Sequence, residues 1–114
     1  GEGADLLFGG SGNDLFVFRT AADANGDTIG DFQAGDRVDL HFIDADVTAD
    51  GNSAFQLAAG SAFTGAGELI VQYDANDDTT VISGNTDANV DTAEFEITLT
   101  GNHENELRQG GLGL

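Results

Sequence analysis

The chain opens with GEGADLLF (residues 1–8) and GGSGNDLFV (residues 9–17), which share the pattern Gly-Gly-x-Gly-x-Asp-x-apolar-x, the first unit lacking its leading residue. Glycine tolerates positive φ, so each unit can turn tightly and bring backbone carbonyl oxygens together. The three residues that follow each turn are expected to form a short strand, with Leu7 and Phe16 directed inward. Repeats of this kind predict a parallel β-roll, in which turns and short strands alternate along a coil.

The chemistry of the turns favours calcium as the bound ion. Asp5 and Asp14 add carboxylates to the carbonyl oxygens, and hard oxygen ligands of this type suit calcium. The chain has no Cys and only two histidines, His41 and His103, so zinc has few ligands available. A phosphate site is not expected, because neither turn completes the GxGxxG pattern and each places an Asp where an anion would bind.

A weaker pair of repeats follows the first two. Asp27 and Asp36 each begin an Asp-x-apolar sequence after a glycine, and they lie nine residues apart, as Asp5 and Asp14 do. The pattern therefore predicts four half-turns, in which the first turn stacks on the third and the second on the fourth. Asp5 would then face the Asp27 turn, and Asp14 the Asp36 turn. The loop of residues 19–25 absorbs the four extra residues between the two pairs.

The predicted metal ligands come from all four turns. They are Gly1, Gly3, Asp5, Gly10, Gly12, Asp14, Asp27 and Asp36. Asp31 and Asp39 would replace the later two aspartates if the register slipped by a few residues.

Beyond the repeats, three longer segments resemble a known family. The nonapeptides resemble the RTX repeats of bacterial proteins exported by type I secretion, and residues 27–40, 62–74 and 93–103 resemble the C-terminal domain of serralysin-type metalloproteases. The resemblance implies a right-handed β-roll that folds on calcium outside the cell. It also implies a larger secreted parent protein, whose other domains hold the activity and which a type I exporter transports.

The expected organisation is one domain with three parts. Residues 1–40 form the calcium-binding turns, residues 41–103 form a capping β region of the same domain, and residues 104–114 form a polar, glycine-rich tail. This tail differs from the usual ending of the family, so we do not expect it to act as the terminal export signal. Because the chain begins inside a repeat, we expect it to be a piece of a longer protein.

After Leu40 the repeat pattern is lost, and the sequence has strand-like segments separated by polar loops. This pattern predicts an all-β fold in which antiparallel strands cap and flank the roll. The predicted strands are Val38 to Ile43, Phe55 to Leu57, Glu68 to Tyr73, Thr79 to Ser83 and Glu94 to Thr100. In the last of these, Phe95, Ile97 and Leu99 alternate with polar residues, which predicts one buried face. No stretch has the period of an amphipathic helix.

The composition excludes several classes of partner. The chain contains 21 Asp and Glu against 3 Lys and Arg, a formal net charge of -18, which opposes compaction unless cations bind. The same charge argues against nucleic acids and anionic membrane surfaces. No apolar run approaches the roughly 18 residues that a membrane span requires. We expect a monomer without disulfides.

Catalytic and other metal motifs are missing from the sequence. There is no HExxH zinc motif and no G-x-S-x-G nucleophile elbow, so we expect the fragment to be noncatalytic. The acidic loops that begin at Asp46, Asp74 and Asp87 fail the EF-hand test, because none has a Glu at the twelfth position. They are expected to be polar loops, with a further ion possible only at residues 87–91. The histidines are expected at the surface or at strand edges.

A second class of function stays open at this level. The module could be a calcium-dependent accessory that binds an alginate-like polysaccharide, similar to the repeat modules of mannuronan C-5 epimerases. Such an anionic polymer would require Arg19, Arg37 and Arg108 to cluster, or calcium to bridge the two anions.

Overall fold

The computed structural model describes residues 6–33, 35–48, 51, 54–58 and 62–114. Three predicted metal ligands, Gly1, Gly3 and Asp5, lie outside these residues. The strands are β1 (Leu6–Leu7), β2 (Leu15–Val17), β3 (Thr28–Ile29), β4 (Arg37–Asp39), β5 (Gln56–Leu57), β6 (Glu68–Asp74), β7 (Thr79–Asn85), β8 (Phe95–Thr100) and β9 (Leu112–Gly113). The helical segments are α1 (Ala21–Ala24), α2 (Glu104–Glu106) and a π-helical turn (Leu107–Gly111).

The first four strands form the parallel β-roll that the repeats predict. Strand β1 pairs with β3 in parallel, with Leu6 opposite Thr28, and β2 pairs with β4 in parallel, with Leu15 opposite Arg37. Facing positions are thus 22 residues apart. The short helix α1 occupies the loop that was expected to absorb the insertion. The predicted stacking of the second turn on the fourth is confirmed by this register.

The C-terminal part of the chain adds a further parallel strand to each sheet of the roll. Strand β8 pairs with β3 in parallel, with Leu99 opposite Ile29. Strand β9 pairs with β4 in parallel, with Leu112 opposite Val38. The sheet orders are therefore β1-β3-β8-β7-β6-β5 and β2-β4-β9, and β9 lies at one edge of the smaller sheet.

Antiparallel strands extend the larger sheet on the far side of β8, as the sequence predicts. Strands β6 and β7 pair from Glu68 opposite Asn85 to Asp74 opposite Thr79, and β7 pairs in turn with β8. The hairpin between β6 and β7 turns through the acidic loop, where Asp78 adopts a φ of 54°. The antiparallel region is therefore a continuation of one roll sheet and shares its core.

The inward side chains of both sheets form one hydrophobic core. Phe16, Ile29 and Val38 from the roll belong to it, with Leu7 packed against its edge. The alternation predicted for β8 is confirmed: Phe95, Ile97 and Leu99 are fully buried, and they lie in the same cluster.

Two stretches differ from the sequence-based expectation. The strand predicted from Val38 to Ile43 ends at Asp39, because Leu40 and Ile43 both turn into the core and Ile43 N–H donates to the Leu40 carbonyl at 3.0 Å. The tail of residues 104–114 contains α2, the π-helical turn and β9, and Leu107 is buried in the core. These helical segments are too short to show a sequence period. Within the described ranges, no helix has the length and apolarity needed to cross a bilayer.

Gly84 and Gly30 offer a matched test of the core. A Cβ at Gly84 would lie 2.3 Å from the ring of buried Phe95, whereas a Cβ at Gly30 would meet the ring of Phe8, which is 65% exposed and can rotate away. We expect Gly84→Ala to lower the free energy of unfolding by about 1–3 kcal/mol, the usual cost of overpacking. Gly30→Ala should change it much less. Urea denaturation at one fixed calcium concentration measures both, and equal losses would contradict this account of the core.

Candidate metal centre

The glycine-rich turn of residues 9–14 lies against the turn of residues 31–36 of the next coil. The register places Asp14 opposite Asp36, and the Asp14 carbonyl accepts a hydrogen bond from Arg37 N–H at 2.9 Å. The two turns touch closely, since a Cβ at Gly35, whose φ is 97°, would lie 2.2 Å from Asn13 Oδ1. This contact brings two predicted ligand residues, Asp14 and Asp36, to one side of the roll.

Asp14 has a carboxylate oxygen without a hydrogen-bond partner in the described part of the chain. Its Oδ2 is buried and accepts no hydrogen bond from the residues that the structure describes, and a Cβ at Gly9 would lie only 2.5 Å from it. The same turn contains Gly10 and Gly12 at φ values of 83° and 93°. A buried carboxylate oxygen without a donor is costly, and a cation bound by oxygen ligands would remove that cost. The surroundings of Asp14 therefore fit calcium.

Asp36 is held in a different way. Its side chain is almost fully buried, its Oδ1 accepts a hydrogen bond from Asp14 N–H at 2.8 Å, and its Oδ2 accepts one from Gln33 N–H at 3.0 Å. Backbone amides thus satisfy both oxygens.

Asp31, which the sequence suggested only as a substitute ligand, also binds backbone amides. Its Oδ1 accepts from Gly9 N–H and its Oδ2 from Gly10 N–H, both at 2.8 Å. The Gln33 side chain adds a bond to the Gly10 carbonyl at 3.1 Å. Asp31 follows Gly9 by 22 residues, the spacing that relates facing positions of the coil, and this spacing is the signal that could have identified the contact.

Asp27 occupies the third turn, next to β3. It is buried, its N–H donates to the Ala24 carbonyl at 3.3 Å, and its carbonyl accepts from Thr98 N–H at 2.9 Å. Its backbone thus joins α1 to β8. Because Asp5 lies outside the described residues, the pairing of these two carboxylates around an ion stays a prediction.

Any ion in this part of the chain would depend on backbone oxygens. Among the described residues, no three His, Cys, Asp or Glu side chains converge on one point. Calcium accepts carbonyl ligands readily, whereas zinc prefers the nitrogen and sulfur side chains that this turn lacks. That Gly10 and Gly12 contribute ligands through their carbonyl groups stays a prediction from the sequence.

Asp39, the other suggested substitute, lies in a strand and serves another purpose. Its carboxylate accepts hydrogen bonds from the backbone N–H of His41, at 3.0 Å, and from the His41 imidazole. Burial alone would raise the pKa of the Asp39 carboxyl. The hydrogen bonds from His41 and the positive charges of His41 and Arg37 outweigh burial, so the pKa lies below its ordinary value of 3.8.

The three acidic loops outside the roll form local turns. The Oδ1 atoms of Asp46, Asp74 and Asp87 each accept a hydrogen bond from the backbone N–H two residues later, at 2.9, 2.9 and 3.0 Å. These are Asx turns, in which a side-chain oxygen takes the place of a backbone carbonyl. Turn formation therefore accounts for the Asp-x-Thr and Asp-x-Asn patterns of these loops.

The two histidines differ from each other. The His41 side chain is exposed, as expected, and its ring contacts Phe42. His103 is mostly buried instead: its ring packs edge-on against Phe32, with centroids 5.1 Å apart, and Nδ1 lies 3.0 Å from Glu106 Oε1. This difference follows from the folding of residues 104–111 over the end of β8.

The chain matches a known protein family. The model described as "Peptidase M10 serralysin C terminal" matches residues 1–108. The match spans the turns of the roll, the antiparallel strands and most of the helical segment that follows β8. No curated protein matches the chain significantly.

The lowered pKa of Asp39 predicts a specific acid sensitivity. A carboxyl with a depressed pKa in the folded state stabilises the protein above its unfolded pKa of about 3.9, and this contribution is lost as pH falls through the folded pKa. We expect Asp39→Asn to be less stable than the unsubstituted protein at pH 6. It should also lose less stability between pH 5 and pH 3. Chemical denaturation across this range measures both, with the exposed Asp77→Asn as control, and identical pH profiles for the unsubstituted protein and Asp39→Asn would contradict the assignment.

Proposed function

Because the chain belongs to the serralysin C-terminal family, we propose that it is a noncatalytic, calcium-binding RTX module of a secreted bacterial protein. In this proposal the module folds on extracellular calcium and assists the type I secretion and stability of its parent protein. The family is the C-terminal region of M10 peptidases, which supports placing any catalytic activity in another part of the parent.

The observation that carries the proposal is the buried, unpartnered Oδ2 of Asp14. It lies beside a glycine-rich turn whose repeat pattern is typical of calcium-binding β-rolls. Gly9 allows this approach, since any side chain there would collide with the carboxylate. A divalent cation at this oxygen would supply the positive partner that no described hydrogen-bond donor provides.

The overall charge couples ion binding to folding. A net charge of -18 on 114 residues disfavours the compact state, and cations that bind only the folded chain offset that repulsion. A ligand at about one hundred times its dissociation constant stabilises the folded state by about 2.7 kcal/mol. Where calcium is scarce, the chain would be extended and suited to export, and where calcium is abundant it would fold.

No contact in the described part of the chain favours the polysaccharide-binding alternative. The Arg19 guanidinium stacks over the Phe42 ring at 4.5 Å, and Arg108 donates to the Val71 carbonyl at 2.9 Å. The two cations therefore have different partners within the chain, and the family match points to the secreted protease context.

Calcium titration followed by far-ultraviolet circular dichroism tests the proposal. Starting in excess chelator, we expect a cooperative gain of β signal on addition of calcium and none with magnesium, because the larger ion accepts irregular carbonyl coordination. Asp14→Asn should shift the midpoint to higher calcium concentration by tenfold or more. The exposed Asp77→Asn, which removes the same charge, serves as control.

Two results would reject the folding switch. One is a folded spectrum in chelator that calcium does not change. The other is an equal midpoint shift in Asp14→Asn and Asp77→Asn, since that would mean that calcium responds to total charge and not to the turn.

A further inference from the structure

We infer that Asp31 and Asp36 end the series of ion-binding turns by binding backbone amides, so that neither is a calcium ligand. This inference rests on the proposed function for the identity of the ion, and it corrects the sequence-based assignment of Asp36. Of the three carboxylates in these two facing turns, only that of Asp14 would then bind calcium.

Backbone amides of one coil donate several hydrogen bonds to carboxylates of the next coil. Asp31 accepts from Gly9 N–H and Gly10 N–H, and Asp36 accepts from Asp14 N–H, all at 2.8 Å. Three amides of one glycine-rich turn thus point at two carboxylates of the facing turn. Hydrogen bonds to an ionised acceptor are shorter and stronger than those between neutral groups.

The polarity of this contact disfavours a cation. Successive backbone N–H groups in a turn form a concave surface that binds anions. A calcium ion on the same carboxylate oxygens would lie beside the positive ends of the N–H dipoles that Gly9, Gly10 and Asp14 present. Asp36 has a further amide, from Gln33, on its second oxygen. The Oδ2 of Asp14, in contrast, receives no hydrogen bond from any described residue.

The sequence explains why the series ends at this turn. Asp31 stands where the facing unit has Gly9, so a side chain replaces the bare glycine backbone of the repeat. The backbone of Gly35 also lies close to the Asn13 side chain, which leaves no room for a Cβ at that position. The Asp31 carboxylate therefore occurs at a position where a further repeat would have a glycine.

Calcium stoichiometry separates amide-binding carboxylates from ligands. Equilibrium dialysis at saturating calcium should give the same number of bound ions for the unsubstituted protein, Asp31→Asn and Asp36→Asn. Asp14→Asn should bind one ion fewer. Loss of one ion in Asp31→Asn or Asp36→Asn, with the fold intact by circular dichroism, would overturn the inference while leaving the proposed function in place.

A second measurement needs no substitution and holds if a variant fails to fold. In the calcium-saturated protein, scalar couplings across hydrogen bonds should connect the Gly9 and Gly10 amide nitrogens to the Asp31 carboxyl carbon, and the Asp14 nitrogen to that of Asp36. Absence of all three couplings would overturn the inference. If they are present but Asp14→Asn keeps every ion, the proposed site at Asp14 fails and the assignment of Asp31 and Asp36 stands.

Discussion

The parallel register of the roll is the constraint on which the rest of the structure depends. Leu15 pairs with Arg37 at an offset of 22 residues, and this single alignment places the second glycine-rich turn directly on the fourth. A shift of one residue would reverse which side chains face the core, since strand side chains alternate. It would also separate Asp31 from the amides of Gly9 and Gly10. Core packing and the chemistry of the turns are therefore set by the same pairing.

The roll uses its aspartates in three ways, according to what surrounds each carboxylate. Asp36 accepts hydrogen bonds from backbone amides, and Asp39 accepts them from His41. Asp14 has a buried oxygen that accepts none from the described residues. An acidic chain gains stability from its own carboxylates only where positive groups meet them, and the 3 Lys and Arg are too few for 21 acidic residues. Backbone N–H groups supply part of this need. A bound cation stabilises the fold most at a buried carboxylate that these N–H groups do not reach.

Nine-residue periodicity predicted the turns and the strand order of the first four strands, because each repeat encodes its own turn and strand. The alternation of Phe95, Ile97 and Leu99 predicted the buried face of β8 for the same local reason. Residues 104–114 show no comparable signal, since one helical turn has no period and β9 contains only two residues. The role of Asp31 was missed because its partners lie 22 and 21 residues away, where only the coil register identifies them.

The pairing of β3 and β4 with strands from much later in the sequence affects how the roll can form. Strands β3 and β4 each have one neighbour from the first repeats, and their other neighbours, β8 and β9, come from far along the sequence. Two- and three-residue strands cannot bury a core alone, so Ile29 and Val38 become fully covered only after these late strands arrive. Contacts of such sequence separation form slowly, because loop closure precedes the gain from burial. The repeats specify the roll, but its completion depends on residues that carry no repeat.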